Sequence, residues 1–223
     1  MARPAAARVS SRSPAIDQRE KLIGATERLL CSQGLGCVTT RDIARAAKVA
    51  EGALYHHFHD KAELMLSVVL HQLGDFPEVL QGLPLQVGQN TVEKNLGRVL
   101  ESAFAFHHRI APLVCSLFAD HELLGRVRGM MRERSMGPAR TTSVIAAYLH
   151  AEQQLGRVTP AAVPETVADL MIAASFNTAL RDHFFHGGSG GEAKAHRQLR
   201  EAVRALVVGL APKNEGKRAR EKR

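Results

Sequence analysis

Apolar residues recur every three or four positions along most of the chain, which is the spacing of an amphipathic helix. None of the longer segments alternates polar and apolar residues with the period of two that is typical of a strand. Hydrophobic residues make up 45% of the sequence and aromatic residues only 4%, a balance that favours helices rich in Ala and Leu. The sequence therefore predicts an all-α fold, and its 223 residues are enough for a small N-terminal head and a larger body.

Two short helical patterns joined by a tight turn occupy residues 39–64. Thr39 and Asp42 have the spacing of a capping box that begins the first helix, and Leu54 and Phe58 give the second helix a buried side. The other side of the second helix is small, aromatic or hydrogen-bonding, and carries Glu51, Gly52, Ala53, Tyr55, His56 and His57. This arrangement predicts a helix-turn-helix whose second helix enters the major groove of DNA, about 12 Å wide.

The run I-A-x-x-A-x-V-x-x-G-x-L-Y-x-H-F-x-x-K-x-x-L, from Ile43 to Leu64, resembles the DNA-binding signature of the TetR (tetracycline-repressor) family. Two positions differ from the usual pattern of that family. Lys48 stands where the turn commonly has Gly, and Ala50 stands where the second helix is commonly capped by Ser. Loss of a hydroxyl cap costs about 0.5 to 2 kcal/mol, part of which Glu51 recovers by its interaction with the helix dipole.

The resemblance implies which residues contact DNA. Tyr55 and Lys61 match positions that touch backbone phosphate, and Thr40 and Arg41 are expected to fasten the first helix to phosphate. The positions expected to face bases or neighbouring phosphates, with Gly52 permitting close approach, are Lys48, Glu51, Gly52, Ala53 and His56. For these residues the alternative, a merely solvated face, stays open.

The last two predicted helices carry more apolar surface than one subunit needs. The segment 170–180 is apolar all round, and the final helix has apolar residues at clean helical spacing. Together with the resemblance, this pattern predicts a twofold homodimer through a four-helix interface, and hence a near-palindromic operator in double-stranded DNA. The predicted interface residues are Leu170, Ala174, Leu199, Val203, Leu206 and Leu210.

The resemblance further implies a transcriptional repressor that a largely apolar small-molecule effector releases from its operator. The pocket candidates place aromatic or polar groups on otherwise aliphatic stripes, and are Phe104, His107, Phe118, Tyr148 and Asn177. Two alternatives stay open: an activator or architectural DNA binder without an effector, and a helical enzyme or carrier that uses the body pocket. No motif in the sequence identifies the effector, the operator or the regulated genes.

Proline, glycine and capping residues predict where the helices begin and end. Asp17 is expected to cap the first helix, residues 75–89 to form a loop, and one body helix to end at Ile110. Pro112 is then expected to open a new helix that breaks around residues 125–129. The predicted division is a basic arm at 1–16, the head at 17–62, the body at 63–212 and a basic tail at 213–223.

The net charge of +8 is concentrated at the two ends of the chain. Arg3, Arg8 and Arg12 give the arm a charge of +3, and the tail from Lys213 has six basic and two acidic residues. Both ends are expected to be disordered, and whether they hold DNA phosphate or only solubilise the protein stays open.

The remaining chemistry-bearing residues predict no metal, cofactor or catalytic site. The histidines and cysteines lack zinc spacing, including His107, His108, Cys115 and His121, and the pair His183 and His186. Ser189 in GGSGG follows a predicted helix and not a strand, so the likeness to a hydrolase nucleophile elbow is formal only. Three cysteines without a C-x-x-C pair favour a reducing cytoplasm, and the apolar segment 170–180 is too short for a bilayer. The resemblance implies a bacterial, nucleoid-associated protein that binds no membrane.

Overall fold

The computed structural model of the chain describes residues 14–188 and 192–211, and this part consists of helices without a β-strand. The predicted all-α fold is therefore confirmed. The predicted arm and tail fall almost wholly outside the described residues. The helices are α1 Pro14–Gln33, α2 Thr40–Ala47, α3 Glu51–His57, α4 Lys61–His71, α5 Phe76–Gly82, α6 Val92–Leu117, α7 His121–Glu133, α8 Pro138–Gln154, α9 Pro164–His186 and α10 Glu192–Leu210. Short 3-10 turns lie at Leu35–Cys37 and Leu83–Gln86.

The head is a three-helix unit, α1 to α3, closed by the start of α4. Its core contains Leu22, Ile43, Leu54 and Phe58, all fully buried. The same apolar cluster continues into the end of α6 and into α7, through Leu113, Leu117, Leu123 and Val127. The head thus shares its core with part of the body, and the predicted division at residue 62 stays a prediction.

The body is a helical bundle in which α6 packs against α9 and α10, and α8 packs against α9. An apolar stripe of α6 is buried, from Leu96 through Ala103 to Ile110. Tyr148 and Leu149 of α8 are buried in the same core, as are residues of α9 and α10. The body core is therefore built from the faces that the helical periodicity predicts.

The first helix begins at Pro14, three residues before the predicted cap Asp17. That capping prediction is wrong, because Asp17 lies inside the first turn and forms an ion pair with Lys21 at 2.5 Å. Proline favours the first helical position, since its missing N–H has no partner there in any case. α1 ends at Gln33, and Gly34 follows with a left-handed φ of 75°, a conformation that favours glycine.

Prolines and glycines predict a loop at residues 75–89, and this prediction is wrong. The segment contains α5 and a 3-10 turn. Pro77 lies in the first turn of α5, where proline is tolerated. Phe76, Leu80 and Leu83 of this segment are buried against the body core. Burial of these side chains explains why the segment folds despite its composition.

The helix α6 does not end at Ile110, and Pro112 does not open a new helix. α6 runs without interruption for 26 residues from Val92 to Leu117, with Pro112 inside it. A proline here cannot donate to the carbonyl of His108 four residues earlier. That carbonyl accepts a hydrogen bond at 2.7 Å from Nε2 of His183 on α9 instead.

The predicted break at residues 125–129 is also wrong, because α7 runs from His121 to Glu133 through both glycines. The helix begins where the carboxylate of Asp120 accepts from the backbone N–H of Leu123 at 3.0 Å. Leu123 and Val127 anchor α7 to the head core. This packing outweighs the weak helix propensity of glycine, which costs about 1 kcal/mol per residue.

Candidate nucleic-acid interface and ligand cavity

The first helix of the helix-turn-helix begins with a complete capping box. Oγ1 of Thr39 accepts from the backbone N–H of Asp42 at 3.2 Å, and the backbone N–H of Thr39 donates to the Asp42 carboxylate at 3.2 Å. Hydrogen bonds from the Thr39 side chain and backbone hold the pKa of Asp42 below its ordinary value. The predicted cap of α2 is therefore confirmed.

The turn between α2 and α3 carries both departures from the family pattern. Lys48 adopts a left-handed conformation, with φ 57° and ψ 43°, which costs an L-residue about 1 to 2 kcal/mol and glycine nothing. Ala50 occupies the N-cap of α3 and gives no side-chain hydrogen bond. The turn thus keeps its geometry without the residues that usually favour it, because Ala47 and Leu54 on either side are buried.

The helix α3 presents one face to the head core and the other to solvent. Leu54 is buried, whereas Glu51, Gly52, Tyr55 and His56 are exposed. In the described part of the chain, no protein atom outside the local backbone lies within 4 Å of the position that a Cβ on Gly52 would take. Packing within the head therefore does not require glycine at this position, which leaves room for another molecule to approach closely.

Two contacts across α2 and α3 bring predicted DNA-contacting residues together. Oγ1 of Thr40 lies 3.4 Å from the hydroxyl of Tyr55, and Nε of Arg41 lies 3.4 Å from the carboxylate of Glu51. Nζ of Lys61, at the start of α4, donates to the backbone carbonyl of Val38 at 3.2 Å. The hydroxyl and cationic groups assigned to phosphate thus border the exposed face of α3.

Some contacts around the head involve residues that sequence patterns did not single out. The Arg126 side chain on α7 donates to the carboxylate of Asp60, whose other oxygen accepts from the backbone N–H of Glu63 and caps α4. The Arg19 guanidinium lies 5.0 Å from the centre of the Phe58 ring. Helical spacing gives no signal for either contact, because the partners lie far apart in the sequence.

His57 differs from its neighbour His56 because it is half-buried against α1. Its Nε2 lies 3.4 Å from the side-chain oxygen of Gln18. Burial lowers the pKa of His57, and the nearby His56 and Arg19 lower it further. His57 therefore contacts α1, whereas His56 is exposed.

The five candidates for an effector pocket differ in burial. Phe118 has 63% of its surface exposed and Asn177 is also exposed, and their place in a pocket stays a prediction. Phe104 and Tyr148 are fully buried in the body core. Nδ1 of buried His107 lies 2.6 Å from Oγ of Ser175, and burial lowers the pKa of His107 to about 4.

The hydroxyl of Tyr148 belongs to a buried polar network. It accepts from Nδ2 of Asn95 at 3.0 Å and is hydrogen-bonded to Glu152, while burial raises its pKa to about 12. Glu152 also accepts from the backbone N–H of Gly88 at 3.1 Å and pairs with Arg157 at 3.3 Å. This network joins α8 to the segment before α6, which is a structural role.

A cavity of about 330 Å³ lies between α5, the following 3-10 turn and the first half of α6. It contains none of the five predicted pocket residues. The side chains around it are Asp75, Glu78, Val79, Leu83, Gln86, Asn95, Arg98 and Val99, together with Gly82. Its size falls within the range of small-molecule sites, about 300 to 1,000 Å³.

The predicted dimer residues differ in burial. Leu199, Val203 and Leu210 are buried in the core of their own subunit, and their place in an interface stays a prediction. Leu206 is partly buried against the same core, and Ala174 is also partly buried. On α9, an exposed stripe with alternating steps of four and three consists of Thr166, Leu170, Ala173, Asn177, Leu180 and Phe184.

Within residues 14–188 and 192–211, no group of three or more His, Cys, Asp or Glu side chains is arranged to hold a metal ion. None of the helices described there is both long and apolar enough to cross a bilayer.

Comparison with known proteins matches the head to one family. The family model described as bacterial regulatory proteins, tetR family, matches residues 22–68. The HTH-type transcriptional repressor KstR2 of Mycolicibacterium smegmatis is 33% identical over 100 residues, which cover 44% of this chain and 47% of KstR2. The HTH-type transcriptional regulator TtgR of Pseudomonas putida is 37% identical over 67 residues, which cover 29% of this chain and 32% of TtgR. The chain therefore spans half or less of the length of these relatives.

Solved structures extend the similarity of fold to the body. A putative TetR-family transcriptional regulator from Mesorhizobium loti superposes with a TM-score of 0.68 at 17% identity, over 90% of this chain and all of that one. FadR of Bacillus subtilis in complex with stearoyl-CoA gives a TM-score of 0.63 at 15% identity, over 82% of this chain and 96% of FadR. At these identities the similarity demonstrates a common fold.

Proposed function

Because this chain belongs to the TetR family of bacterial regulatory proteins, we propose that it is a dimeric, sequence-specific DNA-binding transcriptional repressor. We further propose that a small-molecule effector releases it from a near-palindromic operator, and that it acts on the bacterial nucleoid. The observation that carries the proposal is the exposed face of α3. Gly52, Tyr55 and His56 point away from the head core there, and Thr40 lies beside Tyr55.

The assignment of contacts follows from chemistry. Hydroxyl or cationic groups suited to phosphate are offered by Thr40, Arg41, Tyr55 and Lys61. The second turn of α3 also carries His56. Base edges in the major groove are read by hydrogen bonds and apolar contacts, which His56 and the methyl group of Ala53 can provide. The repressor role is supported by KstR2, which is described as a repressor and matches the chain over 100 residues.

The effector role draws support from the fold. FadR of Bacillus subtilis has a similar fold and its structure contains stearoyl-CoA. An effector that moves the protein almost completely from the operator-bound to the released state must prefer the released state by about 5.5 kcal/mol. Release therefore requires a ligand that makes many contacts in the released state which are absent from the operator-bound state.

The test is recovery of genomic DNA fragments by the protein, followed by mobility shift on the enriched fragment and on a scrambled fragment of equal length. The matched control is the variant Tyr55→Ala together with His56→Ala, which changes exposed side chains and leaves the head core intact. We expect enrichment with the protein and none with the variant. Equal enrichment by both proteins would contradict the proposal, because binding would then not depend on α3.

A further inference from the structure

The cavity beside α6 has two polar ends set by hydrogen bonds. At one end the carboxylate of Asp75 accepts from Oγ of Ser102 at 2.7 Å. At the other end Nδ2 of Asn95 donates to the backbone carbonyl of Gln86 at 3.2 Å. The segment 75–86 therefore runs alongside the first half of α6, and the cavity of about 330 Å³ lies between them.

Opposite charges line the two walls of this cavity. Asp75 and Glu78 lie on the α5 side and Arg98 on the α6 side, and all three are exposed. Glu93 and Glu101 of α6, which do not line the cavity, pair with arginines of α10 at 3.1 and 3.6 Å. Arg98 forms no such ion pair with any residue in the described ranges of the chain, and neither does Glu78. The walls thus offer unneutralised charge of both signs to a bound molecule.

The floor of the cavity is apolar. Leu83 and Val99 are almost fully buried beneath it, and Val79 is half-buried at its side. A ligand with an apolar part can cover these side chains and exclude water from them. The predicted effector was largely apolar, whereas this cavity combines an apolar floor with charged walls.

We propose that this cavity is the effector site and that it takes a small zwitterion with an apolar body, such as an amino acid with an apolar side chain. The ligand ammonium group binds Asp75 and Glu78, the ligand carboxylate binds Arg98, and the apolar body covers Leu83, Val79 and Val99. A molecule with only one charge leaves the opposite wall unpaired. This inference rests on the proposed function, because it assigns the effector of the proposed repressor.

The position of the cavity connects it to the head. α5 follows α4 after a short turn, and Nε of Arg109 on α6 donates to the backbone carbonyl of Gln72 in that turn at 3.0 Å. α4 begins in the head at Lys61. A ligand that draws α5 towards α6 therefore acts on the C-terminal end of the helix whose N-terminal end carries a predicted phosphate contact.

The experiment is isothermal titration of the full chain with alanine, valine, leucine and phenylalanine, whose apolar bodies differ in size. The best binder is compared with its own analogues lacking either the carboxylate or the ammonium group; for leucine these are 3-methylbutylamine and 4-methylpentanoate. We expect saturable binding by at least one amino acid, and a Kd about tenfold higher for each analogue, because each loses a charge-assisted hydrogen bond.

Variants locate the site. Arg98→Gln and Glu78→Gln are expected to raise the Kd of the amino acid about tenfold. Arg128→Gln changes an exposed residue of α7, a helix that contributes no residue to the lining of the cavity, and leaves the Kd unchanged. The bound amino acid is also expected to weaken operator binding in a mobility shift, and Arg98→Gln to require about tenfold more amino acid for the same effect.

Several results overturn the inference. They are absence of binding by all four amino acids, equal binding by the singly charged analogues, equal binding by Arg98→Gln, or binding that leaves operator affinity unchanged. The proposed DNA binding has a separate failure, because it is contradicted when the protein without ligand shows no specific operator or binds it without dependence on α3. A protein that binds an operator but no amino acid thus refutes the effector site alone.

Discussion

Nε2 of His183 on α9 donates a hydrogen bond of 2.7 Å to the backbone carbonyl of His108 on α6, and the two imidazole rings stack with their centres 4.4 Å apart. This carbonyl is the one that Pro112 leaves without its usual helical donor. His183 therefore satisfies a group that would otherwise be unpaired within the body. The side chain of one helix thereby completes the backbone hydrogen bonding of another.

This relationship predicts a coupling between His183 and Pro112. His183→Ala should lower the free energy of unfolding by about 1 to 3 kcal/mol, because the His108 carbonyl loses its partner. In a Pro112→Ala background the new backbone N–H can donate to that carbonyl, so His183→Ala should cost less. Urea denaturation of the unchanged protein, the two single variants and the double variant gives the coupling free energy between His183 and Pro112. Pro77→Ala is the control background, because Pro77 lies in the first turn of α5, where no helical bond is missing. Equal costs in the Pro112→Ala and Pro77→Ala backgrounds would contradict the assignment.

Gly52 allows the stability of the fold to be separated from DNA binding. Gly52→Ala should raise the free energy of unfolding by about 0.5 to 1 kcal/mol, because alanine is the better helix former and the structure has room for its methyl group. The same change should weaken operator binding, since the methyl group stands between α3 and the DNA. Thermal unfolding and mobility shift measure the two effects. Operator affinity equal to that of the unchanged protein would show that this face of α3 does not approach DNA closely.

The assignment of Lys61 to phosphate and of His56 to bases predicts two kinds of DNA-binding defect. Lys61→Ala should weaken binding alike on all sequences and reduce the slope of log affinity against log salt by about 0.9, because one phosphate contact is lost. His56→Ala should instead change the preferred base pair at one position by about 1 to 3 kcal/mol. Salt titrations on operator and random DNA distinguish the two, with Lys94→Ala in the body as the control. A uniform defect in the His56 variant would refute its base-reading role.

The head could be predicted from the sequence because its signals are short-range. The cap at Thr39 acts on a backbone group three residues away, and the structure contains this hydrogen bond. Such contacts depend on local geometry alone, so spacing is enough to predict them. Lys48 shows the limit of this logic, because its left-handed φ is maintained by the buried residues around the turn and not by its own preference.

The body was less predictable because its exceptions depend on distant partners. α6 continues through Pro112 with support from His183, which lies 75 residues from His108 in the sequence. The cavity depends on α5, which the composition of residues 75–89 concealed. Helical spacing places Phe118 and Asn177 on helices, but it does not show whether the body covers them, and both are exposed. Burial at these positions is decided by packing between helices.

The exposed stripe of α9 predicts where a second copy binds. Leu170 and Leu155 are exposed to nearly the same extent, 54% and 55%, but only Leu170 lies on the stripe. Leu170→Glu should produce monomers, because a charge buried at an interface without a partner costs several kcal/mol. Leu155→Glu, at the end of α8, should leave the dimer intact. Sedimentation velocity measures both variants. A dimeric Leu170→Glu protein would place the interface elsewhere on the surface.

Burial of His107 predicts a loss of stability in acid. Its pKa is about 4 in the folded protein against an ordinary value of 6.5, so the unfolded chain binds more protons between these values. The free energy of unfolding should therefore fall as the pH decreases from 6.5 towards 4, by about 2 to 3 kcal/mol from this residue. His107→Gln cannot titrate and retains a donor for Oγ of Ser175, which itself donates to the Ile172 carbonyl. Other titrating groups affect both proteins alike, so urea denaturation at pH 7 and at pH 4.5 isolates the contribution of His107. Parallel losses in the two proteins would mean that His107 is protonated in the fold without penalty.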